Sequence, residues 1–289
     1  IIDKNLSNIN VDNTFKSICE KWLSRMKIEW QETTLKKVIN LIENHAYPYI
    51  GNKPIETIMI SDILNIIDRM NQKELFGSTE KLMGNFNRIY KFAVTYNYVK
   101  HNIIADIDKK NILISTKDNH YNAITNENET KELIQDIKAF EDLYKADITT
   151  IIALNLAPFI ALRPFNLCSL QWKEINFETE ILDIPANKMK TKKDFIMPLS
   201  KQAIEILKKI EPFSAHKSKY IFPSPTSNLK CINTATLNHS LMKLGYKNRH
   251  CTHGFRSTFS TICHEKVKEH GFNSDVIESC LAHVERNQV

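Results

Sequence analysis

Apolar residues recur every three or four positions through the first hundred residues of the chain. This spacing puts them on one face of a helix and predicts amphipathic helices over residues 13–27 and 33–46. Two further helices are predicted, with N-terminal caps at Ser61 and Ser78. Because each helix has an apolar stripe that must be buried, the four together favour a small all-helical bundle.

The second half of the chain contains two short apolar runs, residues 181–185 and 195–198, flanked by polar turn residues. Such runs predict two strands of a small antiparallel sheet. Helical spacing occurs on both sides of them, over residues 127–140, 147–160, 200–210, 233–244, 254–268 and 274–282. The predicted fold is therefore mainly α: an N-terminal four-helix bundle, followed by a mixed α domain with a small antiparallel sheet.

A polar segment without helical or strand periodicity separates the two halves. Residues 108–125 are rich in Asp, Asn and Lys, which predicts a linker. The expected organisation is a tail at residues 1–10, a helical domain at 11–107, the linker, and a second domain at 126–289.

Cysteine, glycine and hydrophobic patterns argue against several classes of protein. None of the 6 Cys forms a Cys-x-x-Cys pair, which disfavours a disulfide framework or zinc ribbon and fits a reducing compartment. The 6 Gly include no Gly-rich phosphate loop. No apolar run approaches the ~20 residues that span a bilayer, so no membrane partner is expected.

Positive charge is concentrated in one stretch of the chain. Residues 186–256 contain 14 basic and 3 acidic side chains, a net charge of +11, whereas residues 111–185 have a net charge of −6. A local excess of Lys and Arg attracts polyanions, and each neutralised phosphate releases counterions. The stretch indicates a nucleic-acid partner, with a solvated lysine-rich face as the alternative.

Basic side chains in this half are the candidates for chemistry. Arg163 follows the apolar run 151–162, where a buried guanidinium needs a carboxylate or an anionic ligand such as phosphate. Lys190 lies between the two predicted strands, where a hairpin lysine can reach a ligand and donate a proton. His253 and Arg256 share one face at the start of a predicted helix, a position that favours anions.

His283 follows the last predicted helix and completes this set. Each residue taken singly has an ordinary structural explanation as well. These are a helix-end arginine, an exposed hairpin tip, a capped helix with a structural histidine, and a histidine near a helix C-terminus. The order and spacing of the residues are more specific than any one of them.

In that order and spacing the chain resembles the tyrosine recombinase (phage integrase) family. The matching elements are Ala161-Leu162-Arg163-Pro164, the hairpin with Lys190, His253-x-x-Arg256 and Leu281-Ala282-His283. Residues 184–200 are similar to the prophage and genomic-island branch of the family. The resemblance covers essentially the whole chain. It implies that the N-terminal bundle is a core-binding domain and that residues 126–289 are a catalytic domain.

The resemblance implies site-specific recombination of double-stranded DNA, for integration or excision of a mobile element such as a viral genome. Arg163 and Arg256 would hold the non-bridging phosphate oxygens, with His283 as a further donor. Lys190 would protonate the leaving 5′ oxygen. His253 would assist proton movement at a tyrosine that forms a 3′-phosphotyrosyl link. Because cationic side chains stand in for a metal, neither a metal nor a cofactor is expected.

The resemblance also extends to partners and location. It implies that the two domains clamp the DNA duplex and that four copies of the full-length protein assemble on it. The expected location is the bacterial cytoplasm, in association with the nucleoid.

Two positions depart from the family pattern. Asn166 stands where an acidic residue often follows the first arginine, and its amide can accept a hydrogen bond from Arg163 but cannot neutralise it. The nucleophilic tyrosine is expected beyond Val289, roughly nine or ten residues after His283. Tyr246 is the last tyrosine in the chain and precedes the His-x-x-Arg motif, so it is not the candidate. Residues 1–289 alone are expected to bind DNA without cleaving it.

Three other functions fit part of the pattern. A type IB topoisomerase uses the same chemistry on one strand, but its sequences do not resemble residues 184–200. A non-catalytic helical DNA-binding protein would explain the charge, but not the family order of the basic residues. A metal-dependent nuclease would need clustered carboxylates in the basic stretch, which has three scattered ones.

Overall fold

The boundary between the two halves of the chain falls inside the predicted linker. The computed structural model describes residues 13–114 and 121–283, and the chain divides into a first unit, residues 1–119, and a second unit, residues 120–289. The start of the predicted linker forms a short helix in the first unit. Its end packs on residues of the second unit.

The first unit is a bundle of helices around one apolar core. Its helices are α1 (Phe15–Glu29), α2 (Glu32–His45), α3 (Tyr47–Ile50), α4 (Ile60–Gln72), α5 (Phe76–Thr95) and α6 (Lys109–Ile112). The four predicted helices are present as α1, α2, α4 and α5, and each contributes buried side chains, among them Phe15, Ile42, Ile67 and Phe86. The predicted bundle is therefore confirmed, with α3 and α6 as additional short helices.

The starts of two of these helices differ from the predicted caps. Ser61 and Ser78 lie inside α4 and α5, which begin earlier in the chain. At α4, the Asp62 carboxylate accepts a hydrogen bond from Met59 N–H at 3.1 Å and so caps the helix from its first turn. Residue spacing located the helices but not their ends, because any suitable polar group can satisfy the free N–H groups of the first turn.

The second unit combines helices with two small antiparallel sheets. Its helices are α7 (Glu127–Leu143), α8 (Ile148–Ile160), α9 (Pro164–Cys168), α10 (Lys201–Ser214), α11 (Thr234–Leu241), α12 (Gly254–Glu265), α13 (Val267–His270) and α14 (Ser274–Cys280). The strands are β1 (Ile175–Asn176), β2 (Ile181–Ile184), β3 (Phe195–Pro198), β4 (Pro223–Ser224) and β5 (Ser227–Cys231). One sheet has the order β1-β2-β3, and β4 pairs with β5.

The two predicted strands are present as β2 and β3. They pair antiparallel, with Ile184 opposite Phe195 next to the connecting loop, so they form the expected hairpin. Strands β1, β4 and β5 were not predicted. Strands β1 and β4 have two residues each, which is too short to show an alternation of apolar and polar side chains. Strand β5 has five residues, but they are mostly polar and exposed and contain no apolar run.

Helix α8 forms the centre of the second unit. Its side chains are apolar on nearly all sides, and Leu154 and Leu156 have no exposed surface. Such a helix must be enclosed, and α7, α10 and α11 pack against it. Helix α8 has 13 residues, and no helix in the described ranges is long and apolar enough to cross a membrane. Because α8 is enclosed by these helices, its C-terminal end lies in the interior of the second unit, three residues before Arg163.

Leu154→Ala is expected to lower the free energy of unfolding of the second unit by about 2–5 kcal/mol, because removing a fully buried side chain leaves a cavity. Leu143→Ala is the matched control, since Leu143 is 64% exposed, and it should change stability by less than about 0.5 kcal/mol. Denaturant unfolding followed by circular dichroism measures both. Equal losses in the two variants would contradict a central position for α8.

Candidate active site

Arg163 lies in the break between α8 and α9. Helix α8 ends at Ile160, and Ala161 adopts a left-handed conformation with φ of 41°. Arg163 then caps α9, which begins with Pro164, a residue whose fixed φ suits the first helical position. The guanidinium is partly buried and makes no hydrogen bond or ion pair within residues 13–114 and 121–283. Its donors are therefore open to a ligand.

Arg256 is buried, and its guanidinium joins the ends of two helices. Nη1 donates to Ala161 O at 2.8 Å and Nη2 donates to Leu281 O at 2.6 Å. Both carbonyls lie at C-terminal helix ends, where C=O groups lack partners within the helix and carry partial negative charge. The fold thus holds Arg256 in one position.

A Schellman turn at the end of α14 positions His283. His283 N–H donates to Glu278 O at 3.1 Å and Ala282 N–H donates to Ser279 O at 2.9 Å, with Ala282 at φ 50°. The imidazole Nε2 lies 2.9 Å from Arg256 Nη2, and Nδ1 is hydrogen-bonded to the Glu278 carboxylate. Because a guanidinium only donates, Nε2 is the acceptor here and Nδ1 carries the proton given to Glu278.

Electrostatic effects connect four of the five predicted residues. Burial lowers the pKa of His253 the most, and the nearby positive charges of Arg256 and Arg163, together with His283 when it is protonated, lower it further. Burial, followed by the charge of Arg163, lowers the pKa of Arg256 to about 10, while Glu278 acts in the opposite direction. Cationic groups thus lie close enough to disfavour one another. A bound anion would relieve this repulsion.

Lys190 is not joined to this cluster. It lies in the exposed turn between β2 and β3, directly after the buried Met189. Within the described ranges, no hydrogen bond or ion pair connects Lys190 with the four clustered residues. The structure brings together Arg163, His253, Arg256 and His283, and the participation of Lys190 stays a prediction.

Asn166 and Tyr246 each make a specific contact. The Asn166 amide does not accept from Arg163, as the sequence suggested; its Nδ2 donates to Lys188 O at 3.0 Å. The Tyr246 phenol donates to Asp136 Oδ2 at 2.6 Å, and burial together with Asp136 raises its pKa. Asn166 therefore contacts the loop between β2 and β3. Tyr246 has a structural role, since its hydrogen bond joins it to Asp136 of α7.

Tyr121 and Glu278 are site residues that the sequence did not indicate. The ring centroid of Tyr121 is 4.2 Å from that of His253, although the Tyr121 side chain is 65% exposed. The two residues are far apart in sequence, so no local pattern connects them. Glu278 lies in the predicted helix 274–282, five residues before His283. That short distance along the chain is the sequence signal that could have connected the two side chains.

Residues 121–124 run along the start of α12. Cys251 N–H donates to Asn122 O at 3.1 Å, and Ile124 N–H donates to Nδ1 of His250 at 3.0 Å. A Cβ atom on Gly254 would lie 2.5 Å from Asn122 O, so this approach requires glycine. The segment thereby fixes the backbone on both sides of His253.

The described residues offer no clustered metal ligands. Among residues 13–114 and 121–283, no three His, Cys, Asp or Glu side chains are placed to hold a metal ion. All six cysteines are free thiols.

Known families match both units of the chain. Residues 15–110 match the phage integrase central domain, and residues 123–289 match the phage integrase family. The chain therefore belongs to the phage integrase family.

Two relatives are similar along nearly the whole chain. The prophage integrase IntZ of Escherichia coli (strain K12) is 30% identical over 98% of this chain and 67% of its own length. The integrase of Enterobacteria phage P4 is 28% identical over 96% of this chain and 63% of its own length. The chain thus spans about two thirds of the length of these relatives.

Solved structures share the fold. A lambda integrase tetramer bound to a Holliday junction has a TM-score of 0.73, covering 97% of this chain and 81% of that chain at 16% identity. A lambda integrase(75-356) dimer bound to a COC′ core site has a TM-score of 0.71, covering 93% and 95% at 15% identity. This likeness confirms the predicted mainly α fold with its small sheet.

His250, just before the start of α12, makes the free energy of unfolding depend on pH. Burial lowers its pKa to about 4. The unfolded chain therefore takes up a proton at this residue near pH 6.5, where the folded protein does not. The stabilising contribution is fully present above about pH 6.5 and is lost as the pH falls through the folded pKa.

His250→Gln is expected to remove this dependence. Between pH 7 and pH 4, the free energy of unfolding of the wild type should fall by about 3 kcal/mol more than that of the variant. His239→Gln, at an exposed histidine of α11, is the control and should behave like the wild type. Denaturant titrations at several pH values measure the difference. An identical pH dependence in the wild type and His250→Gln would contradict a buried neutral imidazole.

Proposed function

We propose that this protein is a site-specific DNA recombinase that cuts and rejoins strands through a 3′-phosphotyrosyl intermediate, for integration or excision of a mobile element. The observation that carries the proposal is the cluster of Arg163, His253, Arg256 and His283 in a member of the phage integrase family. Relatives named as prophage and phage integrases support it. Structural neighbours bound to a core site and to a Holliday junction support it as well.

The two arginines would bind the non-bridging oxygens of the phosphate to be cleaved. Arg256 is fixed by two main-chain carbonyls, so its charge needs little reorganisation when negative charge develops on the phosphate. Arg163 has open donors for the same ligand. His283 can donate to a phosphate oxygen only when Nε2 carries a proton, with Glu278 holding Nδ1 as it does so.

His253 and Lys190 would move the protons. A neutral imidazole is favoured at His253 by burial and by the neighbouring cations, so it can accept a proton from an attacking phenol. The tyrosine oxygen, from a residue we place beyond Val289, attacks phosphorus, and the P–O5′ bond breaks. The 5′ oxygen leaves with a proton from Lys190, and the phosphate remains joined to the tyrosine and the 3′ oxygen.

Double-stranded DNA is the proposed partner. The net charge of +11 over residues 186–256 supports contact with a phosphate backbone. Assembly as a tetramer on DNA is proposed by analogy with the lambda integrase tetramer on a Holliday junction. The proposed place of action is the bacterial cytoplasm, on the nucleoid, since the first relatives are bacterial prophage and phage proteins.

DNA binding by residues 1–289 is expected to weaken about 10³-fold between 50 and 200 mM salt, because phosphate contacts release counterions. Arg163→Gln should reduce the slope of log Kd against log salt by about one. Lys131→Gln is the control, since that exposed lysine is paired with Glu127 and lies in the stretch 111–185 of net charge −6, and it should keep the wild-type slope. Fluorescence anisotropy with a labelled duplex measures all three. Affinity that does not change with salt would contradict the proposed partner.

Residues 1–289 alone are expected to form no covalent link with a nicked duplex that spans the attachment site. The native protein, with whatever its gene encodes on either side of these residues, should form a link that survives denaturation and chelators. In the native protein, Arg163→Gln should slow the step about 10²–10³-fold. Lys131→Gln, outside the basic stretch, should leave the rate unchanged. A denaturing gel detects the adduct.

Two outcomes would overturn parts of this mechanism. An adduct formed by residues 1–289 alone and mapped by mass spectrometry to Tyr121, beside His253, would show that the nucleophile lies elsewhere than proposed. An adduct of the native protein that disappears with chelator would show that the chemistry uses a metal ion.

A further inference from the structure

The loop between β2 and β3 is fixed at its base by a buried ion pair. The Lys188 ammonium lies 2.8 Å from each carboxylate oxygen of Glu174 and donates to Ser169 O at 2.7 Å. The two side chains are 17% and 2% exposed. Glu174 also accepts a hydrogen bond from Gln171 N–H at 2.9 Å. Every donor of the ammonium therefore has an acceptor nearby.

Stability alone does not account for such a pair. Replacing a buried ion pair with apolar residues of similar volume is often neutral or stabilising, because two charges must lose their water. A buried pair does fix geometry, since removing either partner leaves the other charge unpaired. Here the fixed point is the chain at Lys188, two residues before Lys190.

Asn166 holds the same point through the main chain. Its Nδ2 donates to Lys188 O at 3.0 Å and lies 3.5 Å from Met189 Sδ. Asn166 and Met189 are each 3% exposed. An ionised Asp or Glu could not donate this hydrogen bond, so the amide at this position has a chemical role of its own. Asn166 lies on α9, the short helix capped by Arg163.

Hydrogen bonds also hold the end of the loop that leads into β3. Ala186 N–H donates to Asp194 Oδ1 at 2.7 Å, and Lys192 N–H donates to Met189 O at 3.1 Å. Lys192 has a φ of 53°, which turns the chain back toward β3. Lys190 is thus left at the exposed end of a loop whose base is held on both sides.

We propose that Asn166, Lys188 and Glu174 are positioning residues for Lys190. They hold the main chain next to Lys190 against α9, the helix that Arg163 caps, so that one phosphate held by Arg163 comes within reach of the lysine ammonium. The inference rests on the proposed function, in which Lys190 protonates the leaving 5′ oxygen.

A substrate with sulfur at the bridging 5′ position separates this role from a general loss of structure. With either substrate the tyrosine oxygen attacks phosphorus and the bond to the 5′ atom breaks. A 5′ oxygen must leave as an alcohol and needs a proton. A 5′ sulfur leaves as a thiolate, since thiols ionise near pH 8–9, and needs none. Misplacing Lys190 should therefore slow cleavage of the oxygen substrate alone.

The experiment measures single-turnover adduct formation by the native protein on both substrates. Asn166→Asp and Lys188→Met should each lower the rate on the oxygen substrate about 10²-fold, and by less than about threefold on the sulfur substrate. Lys190→Ala shows the rates expected without the proton donor, with slow cleavage of the oxygen substrate and little change on the sulfur substrate. Asn155→Asp is the matched control, because Asn155 also donates its amide to a main-chain carbonyl, Ile151 O, but within α8. Its rates should equal the wild type on both substrates.

The outcomes distinguish the inference from the proposed function. If the wild type forms no adduct with either substrate, the proposed function fails. If the wild type reacts and Lys190→Ala is rescued by sulfur, but Asn166→Asp and Lys188→Met lose rate equally on both substrates, their role is only structural and the inference is overturned. Wild-type rates for both variants would overturn it as well. Lys188→Arg, which keeps a cation for Glu174, should recover most of the rate lost in Lys188→Met.

Discussion

The buried guanidinium of Arg256 is the interaction on which the site depends. It is bound to main-chain carbonyls at the ends of α8 and α14 while being carried by α12. Leaving a buried cation without acceptors would cost several kcal/mol, so the folded chain must bring these two helix ends together around it. Arg163 follows one of those ends and His283 follows the other. The contacts that satisfy Arg256 therefore also set the positions of its neighbours.

The long helices were predictable because each has an apolar face that must be buried. Helix α8 is the clearest case, since a helix that is apolar on nearly all sides can only lie in a core. Helix ends were less predictable. The start of α4 is satisfied by Asp62 rather than Ser61, and both side chains are chemically able to do it. Short strands such as β4 have too few residues to show a pattern.

The site residues that follow the order of the family motifs could be predicted from the sequence. The contacts that these residues make with distant segments could not. Arg163, His253, Arg256 and His283 were identified from their order and are neighbours in the fold. The partner of Asn166 is a main-chain carbonyl, and any residue type supplies a carbonyl, so sequence gives no signal for it. The contact between Tyr121 and His253 is equally invisible, because it joins distant segments.

The two turns that flank Arg256 contain alanines in left-handed conformation, Ala161 and Ala282. An L-residue with a Cβ is strained there by about 1–2 kcal/mol, and such turns persist only when surrounding contacts hold them. The Arg256 guanidinium donates to the carbonyl of Ala161 itself and to that of Leu281, the residue before Ala282. The α14 turn also has two main-chain hydrogen bonds of its own. Each turn in addition depends on a guanidinium that it shares with the other helix end. The cluster of Arg163, His253, Arg256 and His283 is therefore expected to form and melt as one cooperative unit.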